Sequence, residues 1–399
     1  METTRWTPAY NPPVPQTSPI TSSAGADRCP GVLRLAEAAD GFLARIRLPG
    51  GIVSGAQLRA LARLAADFGD GRAELTSRGN VQLRGLAADA GERLATELTR
   101  AGLLPSLTHD RVRNILASPL TDRTALVRAL DAGLCARPRL AELSGRFLFA
   151  IDDGRGDVAG LGADVVATVS PAGAVVNGLA TTTDSAVDVM LACAEAFLDL
   201  NTDGAAWRIA DLPDGASRVR EAVAARFRLA VVPGQPVTAP STRPVGLVHC
   251  HEEGAGGQAG DTVRGNDSGS AAVLLAPLGR LTAAQLTWLA DRGGQAARIT
   301  PWRSVVLPDR TDAAEVLRAA AAAGFGVDAA SPWLRVTACA GRPGCASALA
   351  DVQADALSFA ARWPGRIVHV SGCGRHCGRP AGTEIDVTAT SEGYQIAPV

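Results

Sequence analysis

One pattern occurs twice in this chain, and it constrains the fold more than any single motif does. The first copy reads ARIRLPGGIVSGAQLRALARLA (44–65), AELTSRGNVQLRGL (73–86) and AGERLATELTRAGLL (90–104). The second reads AVLLAPLGRLTAAQLTWLADRG (272–293), ARITPWRSVVLPDR (297–310) and AAEVLRAAAAAGFGV (313–327). Pro49 matches Pro277, Gly51 matches Gly279, Ser54 matches Thr282, and Gln57-Leu58 matches Gln285-Leu286. Further on, Thr76, Val81 and Leu83 match Thr300, Val305 and Leu307. In each copy apolar and polar residues alternate up to a Pro/Gly turn, and a Ser or Thr then stands where a helix N-cap belongs. The pattern predicts a strand, a helix, a second strand and a second helix per copy. Two such halves can pair about a pseudo-twofold axis and leave a groove between them.

Between the copies, GRFLFAIDDG and VVATVSPAGAVV read as strands and SAVDVMLACAEAFLDL as a helix. The expected organisation is α+β, in five parts: a disordered tail (1–27), a ferredoxin-like half-domain (28–109), an α/β domain (110–236), a second half-domain (237–331) and a cysteine-bearing α/β domain (332–399). The stretch EEGAGGQAGDTVRGNDSGS (252–270) reads as a mobile surface loop. The Pro-, Thr- and Ser-rich tail lacks the apolar core of a signal peptide. No apolar run reaches the roughly eighteen residues that a bilayer span needs. The expected location is the cytoplasm. A net charge of −1 argues against nucleic acid or an anionic membrane as partner.

All 39 basic side chains are arginine. An arginine here is therefore weaker evidence for anion recognition than usual, because it also fills places where lysine would serve.

Of the 8 cysteines, Cys29, Cys135, Cys193 and Cys250 are scattered, and Cys135 and Cys193 read as small buried hydrophobes. The other four cluster in ACAGRPGCAS (Cys339, Cys345) and SGCGRHCGRP (Cys373, Cys377). Structural zinc sites favour tight C-x2-C knuckles. The wider loops here suit a cuboidal iron–sulfur cluster, with zinc and unligated thiols as the other readings. RIVHVSGC reads as a strand delivering the second pair, and Cys345 as the start of a helix whose dipole favours a negative cluster.

This cysteine spacing after two half-domain repeats resembles the sirohaem-dependent nitrite and sulfite reductases, from about residue 28 to the end. Within that superfamily RCPGVLR, ADGFLARIRLPGG, ARITPWRSVVLP, ACAGRPGCASALAD and VHVSGCGRHCGRP are most similar to the precorrin-3B synthase family. The resemblance implies a nitrite/sulfite reductase-like fold: two ferredoxin-like half-domain repeats about a pseudo-twofold axis, plus two α/β domains that bind cluster and tetrapyrrole. It implies a 4Fe-4S cluster on Cys339, Cys345, Cys373 and Cys377. It also implies an oxygen-dependent hydroxylation of precorrin-3A with lactone formation, in aerobic cobalamin biosynthesis. In the reductases the last cysteine bridges to sirohaem iron, and Cys377 holds that place here.

Matched onto the reductase anion site, LTSRGN supplies Arg78, RVRNIL supplies Arg113 with Asn114, and GRFLFAI supplies Arg146. A second lysine of that site is replaced by Leu148, which favours an oxygenase over a reductase. A polycarboxylate tetrapyrrole needs cations around its groove. The candidates are Arg45, Arg47, Arg78, Arg84, Arg111, Arg113, Arg303 and Arg335, with Arg78, Arg113 and Arg303 first.

Oxygen activation calls for one-electron chemistry that no side chain supplies, so a second, open-site iron is possible. VHCHEE offers His249, His251, Glu252 and Glu253 for it. His376 is expected to donate a hydrogen bond to the cluster, and His109 and His369 stay unassigned. The glycines of GRGDVAG do not sit in a βαβ unit, so no nicotinamide site is expected. Electrons should come from an external ferredoxin or reductase. Two alternatives remain: a sirohaem nitrite or sulfite reductase, and a non-catalytic electron carrier.

Overall fold

The structure is a computed structural model, and it describes residues 27, 29–233, 244–249, 270–293, 296–380 and 382–399. The tail lies outside these residues except for Asp27. Its carboxylate accepts from the Cys29 and Gly145 amides and pairs with Arg111 at 3.0 Å. The loop expected at 252–270 is outside them too, except for Ser270.

The first repeat forms strands β1 (Ala36–Ala38), β2 (Gly41–Ile46), β3 (Ile52–Val53), β4 (Arg72–Leu75) and β5 (Val81–Leu86). Helices α1 (Gly55–Phe68) and α2 (Ala90–Arg100) complete it. Ser54 caps α1 in a capping box with Gln57, as the sequence indicates. AELTSRGNVQLRGL is not the single strand expected but a hairpin. The Thr76 side chain accepts from the Asn80 amide, and Gly79 at φ 63° turns the chain back between β4 and β5.

The middle segment forms β6 (Ile115–Ala117), α3 (Thr124–Cys135), β7 (Phe149–Asp152), β8 (Val165–Ser170), β9 (Gly173–Val176), β10 (Leu179–Thr181), α4 (Thr183–Leu200) and α5 (Gly215–Phe227). VVATVSPAGAVV is therefore also a hairpin. The sheet runs β10-β9-β8-β7-β6, with β6, β7 and β8 parallel. Its core centres on Phe147, with ring centroids 5.2 Å from both Phe149 and Phe197.

The second repeat forms β11 (Gly246–His249), β12 (Ser270–Leu275), β13 (Arg280–Thr282), α6 (Ala283–Arg292), β14 (Ala297–Ile299), β15 (Ser304–Leu307) and α7 (Ala313–Ala322). Thr282 and Gln285 repeat the capping box of α1. The two repeats exchange short strands. β13 pairs with β4 at the edge of the first sheet, and β3 pairs with β14 at the edge of the second. Each sheet thus has the same composition from opposite ends of the chain, which is the pseudo-twofold relation in hydrogen-bonded form. A single apolar core joins Leu58, Leu61, Leu83 and Leu94 to Leu281, Leu286, Leu289 and Leu307.

The last segment forms β16 (Val336–Ala338), α8 (Val352–Arg362), β17 (Val368–Ser371), β18 (Ile385–Thr390) and β19 (Gly393–Pro398). β16, β17 and β18 are parallel, and β19 closes the sheet antiparallel. Among the described residues no helix is long and apolar enough to cross a membrane.

Candidate metal centre

Cys339 follows β16 directly and Cys373 follows β17 by two residues. Adjacent parallel strands need a crossover of a dozen or more residues, here through α8, and their carboxyl ends then lie side by side. The long gap between the two cysteine pairs is that crossover. It brings Cys339, Cys345, Cys373 and Cys377 to one cavity of about 580 Å3. All four thiols are free, three half-buried and Cys377 exposed.

The loops are held by backbone contacts. The Cys339 amide donates to Val370 O at 3.0 Å, Leu349 N to Gly372 O at 2.8 Å, and Arg342 Nε to Ala348 O at 2.8 Å. The Gly372 amide donates to Cys339 Sγ at 3.1 Å. A Cβ on Gly372 would stand 2.7 Å from the Ala348 Cβ, so only glycine lets the two loops meet. Four unpaired thiols around one cavity, with an amide already aimed at sulfur, fit the donor set of a 4Fe-4S cluster.

Cys345 does not open a helix. α8 begins at Val352, where the Asp351 side chain accepts from the Ala354 amide. The dipole expected behind the cluster is therefore absent at Cys345. His376, at φ 48°, turns toward Asp386 of β18, with Nδ1 3.7 Å from the carboxylate that Arg379 also engages. Its Nδ1 makes no hydrogen bond, to a thiol or otherwise. His369 is fully buried with Nδ1 2.8 Å from the Thr337 hydroxyl, and burial pushes it down to about 4, so it is neutral at pH 7.

The candidate arginines fall into different places. Arg45, Arg47 and Arg78 gather near Cys29 and Gly145. Arg45 donates to Gln82, and Arg78 Nη1 donates to Gly145 O at 3.2 Å. Arg47 is 2% exposed, donates to Arg111 O and Pro30 O, and leaves Nη1 without a partner. Burial, with Arg45 and Arg78 beside it, pushes this guanidinium down to about 9. Arg78 is lowered as well, by burial and by Arg208. Burial is the main cause of both shifts, and Asp110 beside Arg47 and Asp164 beside Arg78 offset part of them.

Arg113 lies elsewhere. It is 4% exposed and forks onto both oxygens of Asp131 at 2.7 and 2.8 Å, with a third bond to Leu103 O. Asn114 is buried and ties Asn80 to the carbonyls of Arg111, Gly145 and Phe147. In this structure both hold backbone rather than facing an open site. Arg146 is exposed, its guanidinium 4.1 Å from the Trp207 ring centroid. Leu148 packs with Leu116, Ala150 and Val158 in an apolar patch. Arg303 sits in the β14–β15 turn at φ 63°, its side chain against Gly279. Arg84 leaves the expected rim and lines the cysteine cavity. Arg111 pairs with Asp27, and Arg335 donates to Gly365 O.

His249 is exposed at the end of β11, 3.2 Å from the Ser270 hydroxyl, while His251, Glu252, Glu253 and Cys250 lie outside the described residues. Cys193 is fully buried, as expected, and Cys135 only half-buried. His109 is a satisfied core histidine, bonded to Ser106, Thr108 and Arg137 O.

Residues 35–101 match the nitrite/sulfite reductase ferredoxin-like half domain. A precorrin-3B synthase of Sinorhizobium is 28% identical over 95% of this chain and 85% of its own length. A ferredoxin–nitrite reductase of Synechococcus elongatus is 35% identical, but over 29% of this chain and 25% of its own. The sulfite reductase [NADPH] hemoprotein beta-component of Acidithiobacillus ferrooxidans is 41% identical over 19% of this chain and 14% of its own. The NirA protein of Mycobacterium tuberculosis superposes with a TM-score of 0.69 at 20% identity, covering 89% of this chain and 73% of that one. The chain thus has the nitrite/sulfite reductase-like fold and, along nearly its whole length, resembles precorrin-3B synthase.

Proposed function

We propose that this protein is a precorrin-3B synthase-like monooxygenase of aerobic cobalamin biosynthesis, with a 4Fe-4S cluster on Cys339, Cys345, Cys373 and Cys377. One observation carries the reading. The likeness to precorrin-3B synthase runs through 95% of the chain, whereas the two reductases quoted align over 29% and 19%. The cation-rich patch of Arg45, Arg47 and Arg78 supports an anionic, multiply carboxylated substrate such as precorrin-3A. The apolar surroundings of Leu148 support the loss of the second reductase cation. We assign substrate contact to the segment 110–236 together with the half-domains, and the cluster to 332–399.

The reaction joins one atom of dioxygen to the macrocycle and releases the other as water, consuming two electrons and two protons. The electrons come from an external ferredoxin or reductase. A 4Fe-4S cluster on the four thiolates passes such electrons singly. The chain's own part is to orient the tetrapyrrole. Arg47 offers a buried, unpartnered N–H to a carboxylate, and Arg78 is held beside it by Gly145 O. Cys377, the exposed one of the four, would hold the solvent-facing side of such a cluster.

Incubating the reconstituted protein with precorrin-3A, oxygen-18 gas and a reductant tests the reading. One labelled atom in a lactone product is expected. Unchanged precorrin-3A would leave an electron carrier as the reading. The higher local identity to the reductases favours a second one, a sirohaem nitrite or sulfite reductase. A strong Soret band in the reconstituted protein would select it.

A further inference from the structure

The first cysteine loop does not rest on its own domain alone. Arg84 of β5, in the first repeat, forks onto Asp40 with Nε to Oδ2 at 3.0 Å and Nη2 to Oδ1 at 2.9 Å. The same Nη2 donates at 2.7 Å to the carbonyl of Gly344, the residue before Cys345. Both side chains are largely buried, at 9% and 16% exposure. A Cβ on Gly344 would stand 3.0 Å from Arg84 Nη2 and 3.3 Å from Asp40 Oδ2, so the glycine is what lets this fork approach. Asp40 lies in the β1–β2 turn, and that hairpin contributes Glu37, Ala38 and Ala39 to the wall of the cysteine cavity. A second bridge runs parallel to the first. Arg280 of β13 pairs with Asp70 at 2.8 Å and bonds Gln353, whose Nε2 donates to Cys339 O at 3.2 Å.

We propose that Asp40 and Arg84 form a latch that fixes the Cys345 loop and the β1–β2 hairpin to each other, so that the half-domain both positions one cluster ligand and shields the cluster from solvent. Arg84 and Asp40 are positioning residues; neither is a ligand. This rests on the cluster reading, and the latch geometry stands in the fold itself. A fixed guanidinium fork does this where an ammonium would not, because two carboxylate oxygens and a carbonyl are held at once.

The test uses the full-length protein and the variants Arg84→Gln, Asp40→Asn, the double variant and Arg84→Lys. Arg366→Gln, which removes a surface pair with Glu384, serves as the control. Two quantities are read: the rate at which an anionic iron chelator bleaches the cluster, and amide hydrogen exchange in segments 37–41 and 340–346. Each single variant is expected to speed bleaching by about tenfold, the worth of a hydrogen bond to a charged group, and to raise exchange in both segments together. The double variant should be no worse than either single one, and Arg84→Lys should fall between. A purely electrostatic role would drive Arg84→Gln and Asp40→Asn in opposite directions, since one removes a positive and the other a negative charge, and that result overturns the latch. Wild-type rates and exchange in both single variants overturn it as well. If the wild-type chain holds no iron and sulfide, the cluster reading fails, and the exchange pattern alone decides the latch.

Discussion

Gly79 and Arg303 stand at the same place in the two repeats, and both have φ 63°. Around them the turns are superimposable bond for bond. Gly79 N donates to Thr76 O at 3.1 Å and Arg303 N to Thr300 O at 3.1 Å. The return bonds, Thr76 N to Asn80 O and Thr300 N to Ser304 O, are both 2.9 Å. One copy uses the residue that adopts this conformation without strain. The other places an arginine there, and strain of this kind, when observed, points to function.

Arg303→Gly should therefore relieve backbone strain on the order of 1–2 kcal/mol, partly offset by the greater unfolded-state freedom of glycine, about 0.5–1 kcal/mol. The expected variant melts at or slightly above the parent temperature and binds a tetrapyrrole polycarboxylate more weakly. A clear fall in melting temperature would assign Arg303 to the fold instead.

Arg47 and Arg113 should respond differently to removal. Arg113 is matched by Asp131 on both oxygens. Breaking a buried pair strands a charge at a cost of about 3–5 kcal/mol, so Arg113→Met and Asp131→Asn should each lower the denaturation midpoint sharply. Arg47 is buried with an unpartnered Nη1 beside Arg45. Arg47→Met gives up two hydrogen bonds to carbonyls but relieves the charge beside Arg45, so it should lower stability less than Arg113→Met while abolishing tetrapyrrole binding measured by fluorescence titration. Equal destabilisation by both would remove Arg47 from the site.

The repeats were legible because their markers are local. Pro49–Gly51 and Pro277–Gly279 make the same short turn, and Ser54 and Thr282 cap with glutamine three residues on. The exchange of β3 and β13 was not legible, since strands of two and three residues carry no period and exist only by tertiary pairing. Arg78 and Arg303 lie in matched turns but not at matched positions: the turn register sets Trp302, not Arg303, opposite Arg78. The helix expected from Cys345 looked continuous because ASALADVQ is rich in helix formers. Asp351, whose carboxylate captures the Ala354 amide, was the available start signal. The role of Arg84 had no local signature at all, because Gly344 is 260 residues away.

The cysteine assignment has a direct check. Replacing Cys339, Cys345, Cys373 or Cys377 by Ser should each remove iron and acid-labile sulfide from the reconstituted protein. Cys193→Ala should keep both, since Cys193 is fully buried in the core of the middle sheet. Its cost should be confined to packing. Retention of full iron and sulfide by any of the four serine variants would take that residue out of the ligand set.

A pH dependence should arise at the carboxyl end of β7, in a sheet that carries none of the four clustered cysteines. Asp152, Asp153 and Asp157 lie together there. Asp152 accepts from the amides of Gly154, Gly156, Val158 and Ala159, while Asp153 is held by Arg155 and Thr121. Burial, with Asp153 and Asp152 adding to it, pushes Asp157 up to about 6, although the Ser118 hydroxyl donates to it. An unfolded aspartate titrates near 3.8. Between these values the folded chain holds a proton that the unfolded chain has released, so stability from this group is present below the window and lost as pH rises through it. The loss is on the order of 2–3 kcal/mol for a side chain this buried. Asp157→Asn keeps the acceptor for Ser118 and cannot ionise. Urea midpoints of the parent should therefore approach those of the variant at about pH 4 and fall behind them by about pH 7. Parallel pH profiles for the two proteins would show that Asp157 titrates in the folded chain as it does in water.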